Sequence, residues 1–144
     1  MTTTMRVATI NRTYANWGAH CEQALAFTLT GEIRKHDHVS FDKDSDIPEY
    51  NMSVKSSGFT LASAKVNHGE TFEEKVTDFF ARVHSTIFAY VANDFTAYLM
   101  DKTTFEKFIR TFGRLDRESK KNGGGFKVKC LKESQKMIEW LKDA

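Results

Sequence analysis

Apolar and polar positions follow two rhythms along the chain, and the switches between them mark its elements. From Tyr14, the residues Trp17, Cys21, Ala24, Leu25 and Thr28 recur at helical spacing and Gly31 follows as a stop, predicting a helix over 14–30. Between 33 and 66 the rhythm shortens to β-branched and aromatic pieces, HVSF, YNMSVK and FTLASAKV, parted by Asp, Ser and Gly. Three short strands are the economical reading, two of them over 50–55 and 59–65. Pro48 falls between the first two pieces, where a fixed φ and a missing N–H suit a bend or a strand's first residue.

Thr71 and Glu74 form a capping box ahead of Phe72, Val76, Phe79, Phe80 and Val83, so a second core-facing helix is expected over 71–84. TIFAYVAND and FTAYLMD then read as two central strands, 86–92 and 95–100, joined by a turn at Asn93-Asp94. Thr103 and Glu106 suggest another capping box for a helix over 103–112 that Gly113 ends. A basic loop follows, then a short FKVKC strand, and Ser134 opens a final helix over 133–142 with Met137, Ile138 and Leu141 turned inward. No repeat or Ser/Pro linker interrupts this order. It predicts one α/β domain over 1–144, with a single mixed central sheet flanked by helices.

Composition agrees with that picture. A hydrophobic fraction of 40% with 28% charged residues is ordinary for a globular chain, and 144 residues can bury one core without disulfides or metal. No apolar run reaches the roughly 20 residues of a bilayer span, and MTTTMRVATINRTY lacks the plan of a secretory signal, so a cytoplasmic protein without a membrane partner is expected. Cys21, on the apolar stripe of the first helix, and Cys130, at the end of a strand, read as two buried thiols. His20 beside Cys21, and the pair His36 and His38, repeat no zinc-ligand spacing.

The net charge of +2 does not by itself imply nucleic acid, but its distribution is uneven. Arg114, Arg117, Lys120, Lys121, Lys127, Lys129 and Lys132 crowd one stretch, while acids gather at 42–49. Within the basic stretch, Gly123, Gly124 and Gly125 would let main-chain N–H groups approach a phosphate backbone closely. No GK[ST] follows these glycines, which excludes a Walker-type loop. Arg114, Arg117, Lys120, Lys121, Lys127 and Lys129 are the expected DNA-binding residues.

The segment Asp46-Ile-Pro-Glu-Tyr-Asn-Met-Ser-Val-Lys55-Ser-Ser carries the most chemistry. Phosphodiester hydrolysis needs a hard divalent cation, held by carboxylates, to polarise a phosphoryl oxygen and lower the pKa of a bound water. A lysine beside that water can hold hydroxide or neutralise charge growing on phosphorus. Strand alternation sets Ser53 and Lys55 on one face and Met52 and Val54 on the other, so Lys55 is expected to point toward a polar cleft.

The helix bearing Gly18-Ala-His-Cys-Glu22, then Asp46, then Ser53-Val-Lys55-Ser-Ser, resembles the PD-(D/E)XK nuclease superfamily over roughly residues 14–100. The resemblance implies a restriction-endonuclease-like αβββαβ core, with 101–144 as a basic helix-strand-helix extension. It further implies a metal-dependent deoxyribonuclease that uses Mg²⁺ or Mn²⁺. In the branch similar to archaeal Holliday-junction resolvases, a first-helix glutamate joins the strand acids at the metal. Glu22 takes that place, Asp46 that of the first acid and Lys55 that of the lysine. Ser53 stands where the second acid belongs, with only six residues, 47 to 52, between it and Asp46, and Glu49 is the substitute ligand. Asp42 or Asp44 supplies the first acid if the turn lies earlier. Catalytic roles then fall to Lys55, Asp46, Glu22 and Ser53, metal binding to Asp46, Glu49 and Glu22, with DNA as partner and a homodimer as one assembly. The alternative is a nuclease relative without activity that binds nucleic acid or blocks another protein; convergence of 22, 46, 49 and 55 favours the enzyme.

Overall fold

The computed structural model describes residues 2–10, 17–32, 45–56, 59–63, 71–115, 126–130 and 133–144. Its strands are β1 (Thr2–Arg6), β2 (Met52–Ser56), β3 (Thr60–Ser63), β4 (Ile87–Val91), β5 (Thr96–Asp101), β6 (Gly113–Leu115) and β7 (Phe126–Cys130). Its helices are α1 (Trp17–Thr30), α2 (Phe72–Arg82), α3 (Lys102–Phe112) and α4 (Gln135–Asp143). A mixed four-stranded sheet runs β1-β5-β4-β2, with β2 parallel to β4 and the other neighbours antiparallel.

Alternation along β4 and β5 divides the core in two. Phe88, Tyr90, Tyr98 and Met100 face Val76 and Phe80 of α2, Phe105, Phe108 and Ile109 of α3, and Met137 and Leu141 of α4. At its centre the Phe88 and Phe105 rings stack 4.3 Å apart, both fully buried. On the opposite face Ala89, Val91 and Ala97, with Met52 and Val54 of β2, receive Cys21, Ala24 and Leu25 of α1. The small side chains on that face let a helix rich in alanine lie close to the sheet. Full burial of each large apolar side chain contributes about 1.5–3 kcal/mol, so α3 and α4 supply a large part of the α2–α3–α4 core through Phe105, Phe108, Ile109, Phe112, Met137 and Leu141.

Local chemistry fixes most element ends. The Thr71 hydroxyl accepts the Glu74 N–H at 3.2 Å at the start of α2, and Ser134 does the same for Met137 at the start of α4. Gly31 adopts φ 78 past α1 with its N–H on the Phe27 carbonyl, the left-handed stop that glycine permits. α3 departs from its expected cap. Asp101, and not Thr103, closes its first turn by accepting the Thr104 N–H at 2.7 Å.

The expectation of one central sheet is corrected. β3 leaves the main sheet and forms a second, antiparallel one in the order β3-β7-β6. The reason is pairing: β7, from far along the chain, takes Thr60–Ser63 as its partner, an association that no local pattern announces. β2 and β3 are therefore not neighbours in a sheet, and the first of the three expected strands, HVSF, lies outside the described residues. β1 and β6 are additions. Thr2-Thr-Thr-Met-Arg6 shows no apolar alternation because it is an end strand of its sheet, held to β5 and exposed at Thr3 and Thr4.

Candidate functional site

The acid and the lysine of the sequence motif are joined by a tight turn. Ile47 and Met52 exchange two backbone hydrogen bonds of 3.0 and 3.2 Å across a one-turn 3-10 helix, Pro48–Tyr50. Asn51 closes it at φ 49, a left-handed conformation that asparagine tolerates better than most side chains. Its amide donates to the His84 carbonyl at 3.0 Å and its carbonyl accepts from Thr86 and Ile87, which fastens the turn to the entry of β4. The six-residue spacing is thus long enough for the chain to double back. Asp46 consequently lies against β2, with Oδ2 accepting the Val54 N–H at 2.7 Å.

Register assigns the faces of β2. Ser53 and Lys55 pair with Phe88 and Tyr90, residues of the α2–α3–α4 face, whereas Met52, Val54 and Ser56 pair with Ile87, Ala89 and Val91 of the α1 face. Lys55 is half-buried beside Tyr90, and Ser53 is buried with its hydroxyl 3.2 Å from that of Ser85. The polar cleft expected on this side is in part closed, since the sheet is covered on both faces. Tyr90 donates to Glu133 Oε2 at 3.0 Å, and the Asn93 N–H meets the same oxygen at 3.1 Å. Burial pushes the Tyr98 hydroxyl above its ordinary pKa, and the charges of Asp94 and Glu133 push the same way.

The remaining acids are dispersed. Glu22 is half-buried on α1, the helix that covers the other face of the sheet from Lys55, so these two are not brought together on one face. Glu49 is exposed on the 3-10 turn. Asp42 and Asp44 lie outside the described residues, and among those described no group of three or more His, Cys, Asp and Glu side chains could hold a metal ion. Asp46 is held against the Lys55 strand by its bond to the Val54 N–H. Cys21, fully buried, has its thiol pushed up to about 11 by burial, which outweighs a hydrogen bond with Ser56.

Arg114 is exposed on β6. Lys127 and Lys129 occupy the β7 positions opposite Ala62 and Thr60, while Arg117, Lys120 and Lys121 lie outside the described residues. A cleft of about 370 Å³ between α2 and α3 is lined by Thr77, Phe80, Lys102, Thr103, Glu106 and Arg110. Its guanidinium is already engaged by Glu73, Glu106 and Thr77. Sequence reasoning passed over Ser85 and Glu133, which carry no motif; only the register of β4 brings them beside the candidate strand.

No described helix is long and apolar enough to cross a membrane. Comparisons with protein-family models, with curated proteins and with solved structures find no match.

Proposed function

We propose that the protein is a metal-dependent deoxyribonuclease built around Asp46 and Lys55. The observation that carries this reading is the 2.7 Å hydrogen bond from the Val54 N–H to Asp46, which holds a carboxylate at the edge of the strand bearing Lys55. An acid and a lysine so placed are what hydrolysis of a phosphodiester requires of a protein. Mg²⁺ is commonly held by one or two carboxylates together with substrate phosphates, so Asp46 suits a site that DNA itself completes. The ion would polarise the phosphoryl oxygen and acidify a bound water. Asp46 would hold the ion, and Lys55 would supply positive charge to the water and the phosphate. The basic stretch from Arg114 to Lys129 supplies contacts to the phosphate backbone.

A second reading rests on different observations. Ser53 pairs with Ser85 instead of presenting an acid, and Glu22 lies on the helix that covers the sheet face opposite Lys55, which favours a module that grips nucleic acid without cutting it. Labelled linear, branched and single-stranded DNA incubated with Mg²⁺, Mn²⁺ or EDTA separates the two. The nuclease cleaves at least one form in metal and none in EDTA; the binding module retards DNA and leaves it intact.

A further inference from the structure

At the start of α1 three rings meet. Trp17 and His20 stack at 5.7 Å with 16° between their planes, and Phe95 meets both edge-on, at 5.2 Å from Trp17 and 5.9 Å from His20. Trp17 is nonetheless 40% exposed. Phe95 holds its place at φ 62, a left-handed backbone uncommon for an aromatic residue and more readily adopted by glycine or asparagine. The turn is locked around it: its N–H reaches the Ala92 carbonyl, its carbonyl accepts from Val7, and Ala92 donates to the Thr96 carbonyl. The hairpin thus spends conformational strain to set a ring against the indole.

We infer that Trp17, backed by His20 and Phe95, is a stacking platform for an unpaired nucleobase. An indole held by one stacked and one edge-on ring is ordered before any ligand arrives, and every base offers a π-face to it, so recognition is tolerant of sequence. A paired base inside a duplex is already stacked on both sides. The platform therefore selects single-stranded or frayed DNA. Cys21, one helical turn beyond Trp17, meets Ser56 on the α1 face of β2, the face opposite Lys55. Negative charge at this end is partly answered, because Asp94, whose carboxyl is held below its ordinary value first by the Thr96 N–H, also feels Arg6. The link to cleavage rests on the nuclease reading; the stacking does not.

The test is run in EDTA, where no cutting intervenes. In a Trp140→Phe protein, whose one indole is Trp17, a short oligothymidylate should quench the emission saturably and a blunt duplex should not. Trp17→Ala in the otherwise native chain should weaken binding of a labelled oligothymidylate about 5- to 150-fold, with Trp17→Phe retaining most of the affinity. Equal affinity of Trp17→Ala and wild type, absence of quenching, or equal quenching by duplex overturns the platform. Emission that changes with protein concentration alone assigns the face to a second copy and overturns it as well. Stacking in EDTA without cleavage in Mg²⁺ or Mn²⁺ overturns the nuclease reading and leaves the platform standing.

Discussion

Asp46 Oδ2 and the Val54 amide nitrogen lie 2.7 Å apart, so the side chain of one residue closes the strand edge at the other. β2 pairs with β4 on one side, and Asp46 occupies the N–H on the other, where an open edge would invite another strand. The bond has a structural value separate from any chemistry. Asp46→Ala should cost about 1–2 kcal/mol in urea unfolding, whereas Asp46→Asn, which keeps an acceptor, should cost less than half of that. Equal losses would mean that the carboxylate is needed for its charge and not as an acceptor.

Ser53→Glu would restore the acid that the motif lacks, yet Ser53 is only 5% exposed and sits against Ser85. A carboxylate there must shed water and displace that hydroxyl. The variant should lose about 1–3 kcal/mol of stability at neutral pH. Circular dichroism melts check this, and an unchanged melting temperature would show that the strand's inner face opens more readily than its packing implies.

Asp101 gives the fold an acid-sensitive element. Its carboxyl is held below its ordinary value of 3.8, chiefly by the Thr104 backbone N–H and then by the Thr104 side chain. A lowered folded-state pKa means that the unfolded chain binds the proton more tightly. The stabilisation is present above about 3.8 and is lost as pH falls through the lower folded value. Asp101→Asn, which still caps α3 but cannot titrate, should show a shallower acid limb in unfolding free energy against pH. An identical limb would remove Asp101 as a contributor.

Cys21 has the opposite sign. With its thiol raised from 9.0 to about 11, the folded protein holds the proton more tightly than the unfolded chain. The stability linked to this group is full below about pH 9 and declines as pH rises from there to 11. In a Cys130→Ser variant, alkylation at pH 8 should proceed only as fast as the protein unfolds, because roughly one thiol in a thousand is ionised and all are buried. Rapid labelling without denaturant would contradict that burial.

Much of the fold was legible because local signals agreed. The spacing of Val76, Phe79 and Phe80, and of Phe105, Phe108 and Phe112, marked α2 and α3 within two residues of their ends, and Asn93-Asp94 marked the turn before β5. Long-range pairing was not legible. Nothing in FTLASAKV says that it will join FKVKC, and TTTMR lacks the alternation that identifies a half-buried strand. Trp17 lies on the helical stripe read as core, yet as the first residue of α1 it emerges at the surface beside Phe95. In the candidate site, sequence spacing brought Asp46 to the Lys55 strand because a short turn acts locally. Glu22 fell on the far face because which side of a sheet a helix covers depends on the whole packing.

The measurement that bears most directly on the Asp46–Lys55 site is cleavage of labelled DNA by wild type, Lys55→Ala and Asp46→Asn across a series of Mn²⁺ concentrations, with fold checked by circular dichroism. Wild type should cut in metal and not in EDTA. Lys55→Ala should be folded and inactive at every concentration, since it removes charge at the water and no ligand. Asp46→Asn should recover part of its activity at high Mn²⁺, since it weakens the hold on the ion. A folded wild type that cuts no linear, branched or single-stranded DNA in either metal, or a Lys55→Ala protein that cuts as fast as wild type, would contradict the account.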